Sequence, residues 1–182
     1  MHIVENFLST DEYKQFTSLV ANCTEKADGE AHYNNIVGKD NAIQGLENSA
    51  YNITTPEFQQ WWLDVLKSKN YIKDITPNDI LSLYILEAKP PYHANWHKDS
   101  IPEEKLDIGS IILYFGDDLN VHDGGLFLTK ENENDIHGQW VLPTDNVCTI
   151  NPKDVMHIVT KYEDKDIVRK AVIMFLKQKD FT

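Results

Sequence analysis

Apolar positions along the chain follow two periods, and the change from one to the other falls near residue 80. Ile3-Val4-Glu5-Asn6-Phe7-Leu8 opens as a short apolar strand. Ser9 or Thr10 then offers a helix cap, with Glu12 three residues after Ser9 as the partner in a capping box. Tyr13, Phe16, Leu19 and Val20 recur at helical spacing and predict one core-facing stripe. Residues 25–52 are polar, rich in Asn and Gly, and hold few periodic apolar positions. They read as an extended loop with room for one short strand, the kind of long ordered loop that covers a site in many enzymes. Thr55-Pro56-Glu57 starts a second helix, with threonine as cap and proline where a missing N–H costs nothing. That helix carries Phe58, Trp61, Trp62, Val65 and Leu66 inward and stops near Asn70.

Beyond Ile80 the pattern belongs to strands. Leu81 to Ala88, Ile108 to Phe115, Gly125 to Thr129, Gln139 to Leu142, Asn146 to Ile150, His157 to Thr160 and Arg169 to Leu176 are short runs rich in Val, Ile, Leu and Tyr. Turns of Pro, Gly, Asp and Asn separate them. Many short strands with such punctuation indicate a sandwich or barrel, so the fold class is mainly β with flanking helices. Residues 1–79 form a helical preface and cover loop, and residues 80–177 a jelly-roll-like body, within one domain over residues 1–182. No internal repeat or linker divides it. The acidic run Glu131 to Asp135 reads as a solvated hairpin tip.

Length and composition fit that single domain: 182 residues, 41% of them apolar, can bury a sizeable core. The net charge of -12 removes some partners. Nonspecific nucleic-acid binding depends on lysine and arginine displacing counterions, so this acidic chain is a poor candidate for it. An acidic membrane surface is equally unfavourable. No amino-terminal signal pattern and no apolar run of spanning length is visible. Cys23 and Cys148 are too few for a disulfide framework and lack zinc-type spacing, so a reducing, cytoplasmic setting is expected.

The chemistry concentrates in His97-Lys98-Asp99, answered by His157 and then by Arg169. Two imidazoles and one carboxylate suit a non-haem Fe(II) centre, held on one face and open on the other. A lone His-x-Asp is weak evidence, since seven histidines make a chance occurrence common. Context strengthens it. Two positions apart on a strand or extended segment, His97 and Asp99 point to one side. His157 follows the turn Pro152 to Asp154 and starts an apolar strand, which places it at a barrel rim. Arg169 shares a face with Ala171, Ile173 and Phe175 by alternation. A cation heading such a row is costly to bury without an anion. A guanidinium grips a carboxylate through two parallel bonds; the plainer alternative is a rim arginine paired with Asp164 or Asp166.

In this order, Trp96 to Asp99, Ile111 to Phe115, Asp123-Gly124-Gly125-Leu126, Asn151 to Val159 and Arg169 to Phe175 resemble the Fe(II)/2-oxoglutarate-dependent oxygenases, specifically the prolyl 4-hydroxylase-like branch. Val4 to Ser9 resembles that family's amino terminus. The likeness covers residues 80–177 well and residues 1–25 loosely. It implies a double-stranded β-helix (a jelly-roll, cupin-like core), with His97, Asp99 and His157 as iron ligands and as the catalytic centre. It also implies that Arg169 binds the distal carboxylate of 2-oxoglutarate and that Tyr114 donates to the same group; an ordinary packed aromatic is the alternative for Tyr114. Relatives carry a tyrosine-proline-glycine segment shortly before the first iron histidine. Here that stretch is Glu87-Ala88-Lys89-Pro90-Pro91, with Tyr84 before it and Tyr92 after, and Tyr84 is the candidate substitute.

The activity implied is hydroxylation of a C–H bond in a prolyl or other residue of a peptide or protein. Fe(II) is the cofactor, 2-oxoglutarate and O2 are consumed, and succinate and CO2 are released. A free amino acid or small metabolite is the rival substrate. A cupin-like protein that holds metal or ligand without turnover is the rival class. A nucleic-acid demethylase is disfavoured by the charge and by the lack of a second arginine soon after Arg169. Asp99 argues against a halogenase, where Ala or Gly opens a halide position. The remaining histidines, His2, His32, His93, His122 and His137, read as surface or supporting groups, and Trp96 as packing under the iron ligands. Substrate identity and oligomeric state are not written in the sequence.

Overall fold

Strands buried on both faces need apolar side chains on both, and the long strands of this chain have them. The computed structural model describes residues 1–27, 49–72, 74–90, 92–101, 106–116, 120–161 and 168–177. Strand β1 (His2–Val4) leads to helix α1 (Thr10–Ala21), then β2 (Lys26–Ala27), β3 (Ser49–Asn52) and helix α2 (Pro56–Lys69). The body follows as β4 (Ile80–Ala88), β5 (Ala94–His97), β6 (Ser100–Ile101), β7 (Leu106–Asp107) and β8 (Gly109–Phe115). It closes with β9 (Phe127–Lys130), β10 (Gln139–Val141), β11 (Cys148–Asn151), β12 (Met156–Val159) and β13 (Arg169–Leu176).

One sheet has the order β1-β11-β8-β13-β4-β3-β2 and a second β10-β9-β12-β5, while β6 and β7 form a small hairpin. Apart from that hairpin, the chain passes from one large sheet to the other and back: β4, β8, β11 and β13 in the first, β5, β9–β10 and β12 in the second. Every pairing is antiparallel. This is the double-stranded β-helix expected from the sequence.

Alternation along the central strands divides the core in two. Leu83, Ile85, Ile111, Leu113, Val172 and Met174 face the helices, meeting Phe16, Leu19, Phe58, Trp62 and Leu66. Tyr84, Leu86, Ile112, Tyr114, Ala171, Ile173 and Phe175 face the other sheet, meeting Ala94, Phe127, Val141 and Val159. The helices therefore back the large sheet and leave the space between the sheets for chemistry. Among the described residues, no helix is long and apolar enough to cross a membrane.

The strand boundaries read from the sequence hold closely, with two differences. The opening strand ends at Val4, because Asn6 takes a left-handed conformation at φ 50° and turns the chain, so Phe7 and Leu8 enter the core as a turn. Ala94–His97 pairs as a strand although it is too short and polar to show a period, while Ser49–Asn52 supplies a short strand of the kind residues 25–52 had room for. Most of the expected cover loop, residues 28–48, lies outside the described residues.

Helix α1 starts as its sequence requires. Glu12 N–H donates to Ser9 Oγ, and Ser9 N–H donates to Glu12 Oε2 at 2.7 Å, while Lys69 Nζ reaches the same oxygen at 2.8 Å and ties α2 to α1. Burial pushes the Glu12 carboxyl up, but the Lys69 ammonium and the Ser9 bonds outweigh it and hold it below its ordinary value. Such a group stabilises the fold above its unfolded pKa and loses that contribution as pH falls through the lower folded value. The stability difference between the wild type and Glu12→Gln, read from urea melts, is expected to stay level from neutral to about pH 5 and to shrink below about pH 4.

Asn146 fastens the amino terminus to the β-body. It sits at φ 57°, its Oδ1 accepts from Leu8 N–H at 2.8 Å and its Nδ2 donates to Leu8 C=O at 2.8 Å. Phe7 N–H donates to the Asn146 carbonyl at 3.0 Å. Asn146→Ala removes both side-chain bonds and strains the backbone. We expect a loss of about 2–4 kcal/mol, seen as a lower urea midpoint at unchanged m.

Candidate metal centre and active site

Two antiparallel strands bring the ligand set together. In the β5–β12 pair, His157 stands opposite His97, and β12 is held on its other edge by β9, where His157 faces Thr129. Asp99 follows β5 by one further alternation: His97 and Asp99 are buried and Lys98 between them is exposed. The two imidazole rings lie edge to face at 4.2 Å. Asp99 Oδ1 is 3.6 Å from His97 Nε2 and 3.5 Å from His157 Nε2, longer than a good N–H···O bond. One ligand atom from each of the three lies within 4.8 Å of the others.

The outward ring nitrogens are already engaged. His97 Nδ1 donates to the Asn95 carbonyl at 2.6 Å and His157 Nδ1 to the Val155 carbonyl at 3.1 Å. Those bonds fix the tautomer and leave both Nε2 lone pairs aimed at a common point, the arrangement found around metal-bound histidines. Burial alone would raise the Asp99 carboxyl. The charge of a protonated His157 and hydrogen bonds from both imidazoles outweigh it, holding Asp99 well below the usual carboxylate range. Burial would likewise lower His157, and the Asp99 charge outweighs it and raises the imidazole. The pocket favours a positive charge among these three groups. Two neutral imidazoles and one ionised carboxylate on one side fit a divalent ion of the iron type.

The triad borders a cavity between the sheets, lined also by Leu86, Tyr92, Ala94, Ser110, Ile112, Phe127, Val159, Arg169, Ile173 and Phe175. Arg169 opens β13 and Phe175 lies near its end, so they mark opposite ends of the cavity wall. The triad lies at the Phe175 end: Ile108 N–H donates to the Asp99 carbonyl at 3.2 Å, and the adjoining Ser110 pairs with Phe175. At the other end, buried Arg169 donates from Nη2 to Tyr114 Oη at 3.1 Å. Its guanidinium carbon lies 4.9 Å from the Tyr114 ring centre and 5.9 Å from that of Tyr92. Burial pushes the Tyr114 phenol up against the opposing pull of Arg169, so Tyr114 stays neutral and can donate.

The structure thus gathers His97, Asp99, His157 and Arg169 around one cavity. Tyr114 joins them through its bond to Arg169 without itself lining that cavity. Tyr84 is not brought in: it faces inward from mid-strand, opposite Ile173, and packs beside Phe175 at 6.2 Å. Tyr92 lines the cavity in its place. A turn closed by Tyr92 N–H to Lys89 C=O at 3.0 Å carries it there, and the Pro90-Pro91 pair before it was the available signal. Trp96 also departs from expectation. It alternates with His97 and so faces outward, 37% exposed, with Lys130 Nζ 4.7 Å from its ring centre. Asp164 and Asp166, the other candidate partners for Arg169, lie outside the described residues.

No family model matches the chain, and no curated protein does either. Solved structures do. A prolyl-4-hydroxylase of Pseudomonas putida is 15% identical, with 98% of this chain and 92% of that chain covered and a TM-score of 0.59. A prolyl hydroxylase of Trichoplax adhaerens, in complex with a hypoxia-inducible factor peptide fragment, is 16% identical over 97% of this chain and 83% of its own, at 0.63. HygX of Streptomyces hygroscopicus, with nickel and 2-oxoglutarate bound, is 10% identical over 99% and 83%, also at 0.63. The chain has the fold of the 2-oxoglutarate/Fe(II) oxygenases.

Metal binding is directly measurable. Anaerobic titration calorimetry with Fe(II) or Mn(II) is expected to give one site per chain. Asp99→Ala and His157→Ala, each folded by circular dichroism, are expected to weaken it by roughly 100-fold or more.

Proposed function

We propose that the protein is an Fe(II)- and 2-oxoglutarate-dependent dioxygenase that hydroxylates a C–H bond, acting on a prolyl or other residue of a peptide or protein. The observation that carries this reading is the three-ligand set at one end of a cavity whose other end holds a buried guanidinium. The fold shared with two prolyl hydroxylases supports the peptide substrate. A small-molecule substrate is the second reading, because a HygX structure with hygromycin B bound also matches, at a TM-score of 0.62.

His97, Asp99 and His157 would hold the iron, and Arg169 with Tyr114 would hold the distal carboxylate of 2-oxoglutarate. When bound, these partners supply the oxidation: O2 gives one oxygen atom to the C–H bond and one to succinate as 2-oxoglutarate loses CO2. The chain's share is placement. Nδ1–carbonyl bonds hold both imidazoles in the tautomer that presents Nε2. Arg169 offers a two-pronged donor set for a carboxylate, and Tyr114, which accepts from Nη2, helps orient that guanidinium. Tyr92 lines the same cavity, its ring centre 5.9 Å from the guanidinium carbon. Ile112, Val159, Ile173 and Phe175 line the space between the two ends with apolar surface.

Anaerobic addition of Fe(II) and 2-oxoglutarate is expected to produce a weak visible absorption band, lost in His157→Ala. Arg169→Lys keeps the charge but removes the fork, and is expected to weaken 2-oxoglutarate binding by roughly 10–100-fold. In air, succinate is expected to form in step with an added oxygen on a member of a proline-containing peptide library. Absence of both the band and succinate would leave only a binding protein of cupin type.

A further inference from the structure

Beside the metal triad, and distinct from the cavity that Arg169 borders, lies a larger cleft of about 700 Å3. That volume is in the range of sites that hold small molecules. Two of its wall residues fix its position. Thr129 stands directly opposite His157 across β9 and β12, and the Val155 carbonyl accepts from His157 Nδ1. Gln139, one strand further out on β10, pairs with Thr129 and also lines the cleft. Neighbouring strands lie roughly 5 Å apart, so this wall runs about 5–10 Å from His157 along one row of the sheet. An extended peptide covers that span in about three residues.

The exposed hairpin of residues 131–138 supplies the charged part of the wall. Glu131 and Asp135 border the cleft, and Asp135 gives only Oδ2 to Asn132, leaving Oδ1. Lys130 borders it too, but its ammonium is drawn 4.7 Å from the Trp96 ring centre and donates to the Glu133 carbonyl. The amino group at Met1 is then one positive charge against two carboxylates, on a chain of net charge -12. Among the described residues, the triad alone converges closely enough to hold a metal, so these carboxylates are left for an organic cation. A second feature points to a ligand. Thr129 is 4% exposed and shares the buried face of β9 with Phe127, yet its hydroxyl makes no hydrogen bond among the described residues. A hydroxyl so deep is costly to leave without a partner.

We propose that this cleft is a substrate subsite that takes a lysine or arginine side chain of the peptide, within about three residues of the position that is oxidised. This deepens the dioxygenase reading above and rests on it. Glu131 and Asp135 attract the cation, the acidic chain adds to their field, and Thr129 Oγ1 is free to accept from an ammonium or guanidinium N–H.

The probe is N-acetyl-lysine methylamide, against N-acetyl-norleucine methylamide, which keeps the side-chain length and loses the ammonium. The protein carries one equivalent of Mn(II) with excess 2-oxoglutarate, and relaxation of the probe ε-protons by the metal is measured by NMR. The lysine probe is expected to relax faster by roughly threefold or more, the preference that two exposed carboxylates can impose. Glu131→Gln combined with Asp135→Asn is expected to bring the two probes level, while the new amide keeps an oxygen for Asn132. His157→Ala, which weakens the metal centre, is expected to remove the enhancement for both. Equal relaxation in the wild type, or a preference that survives the double substitution, overturns the proposal. So does an enhancement that survives His157→Ala, which places Mn(II) in the cleft itself. Faster relaxation of free lysine than of its blocked form also overturns it, because the cleft then serves a free amino acid. The visible Fe(II)–2-oxoglutarate band separates the two levels: a band without lysine preference sinks this inference alone, and no band sinks both.

Discussion

The site depends on the register between β5 and β12. Strand side chains alternate, so a slip of one residue would turn His157 to the outer surface and leave His97 and Asp99 without their third partner. Several contacts pin that register. Ala94, Phe127 and Val159 pack inward on the same face, and β12 is bonded on both edges. Beyond its end, Gly125 N–H and Leu126 N–H donate to the carbonyl and hydroxyl of Thr160, while Thr160 N–H returns to Leu126 C=O. The Gly-Gly step is what lets the chain make this turn, since Gly124 and Gly125 both sit at positive φ.

The register sets the electrostatics. One end of the cavity concentrates an ionised carboxylate with two imidazole lone pairs, and the other a guanidinium between two tyrosine rings. A ligand with one anionic end and one metal-chelating end can enter such a space in a single orientation. The apolar walls make that choice sharper, because charges interact more strongly where water is excluded. The overall charge of -12 works in the same direction: the Arg169 cation is buried in the barrel, away from the acidic surface.

Much of this was legible in the sequence, because the long strands and both helices carry strong periods. Arg169, Ala171, Ile173 and Phe175 alternate as written, and Ser9 with Glu12 forms its capping box. What was illegible follows from length and local geometry. Ala94–His97 offers four residues of mixed polarity, too few to reveal a period, so Trp96 was placed on the wrong face. Ranking Tyr84 against Tyr92 requires knowing that the first packs beside Phe175 at mid-strand and that a turn at Lys89 delivers the second. Ser110 and Asn151 are ordinary residues in the sequence; only pairing across β8 and β11 shows that one amide atom is left over.

Strand-borne and loop-borne parts of the site have different physical duties. His97, Asp99, His157, Arg169 and the Ser110–Asn151 pair all stand on strands or within two residues of them, where sheet bonding and two-sided burial limit displacement. Distances within the His97–Asp99–His157 triad therefore tolerate little variation. The hairpin from Glu131 to Gly138 is exposed and projects from β9 and β10 at the metal end, immediately after the strand that faces His157. Loops of that type can change length and charge without disturbing the register below them. Such a division accounts for chains that share 10–16% identity keeping one fold.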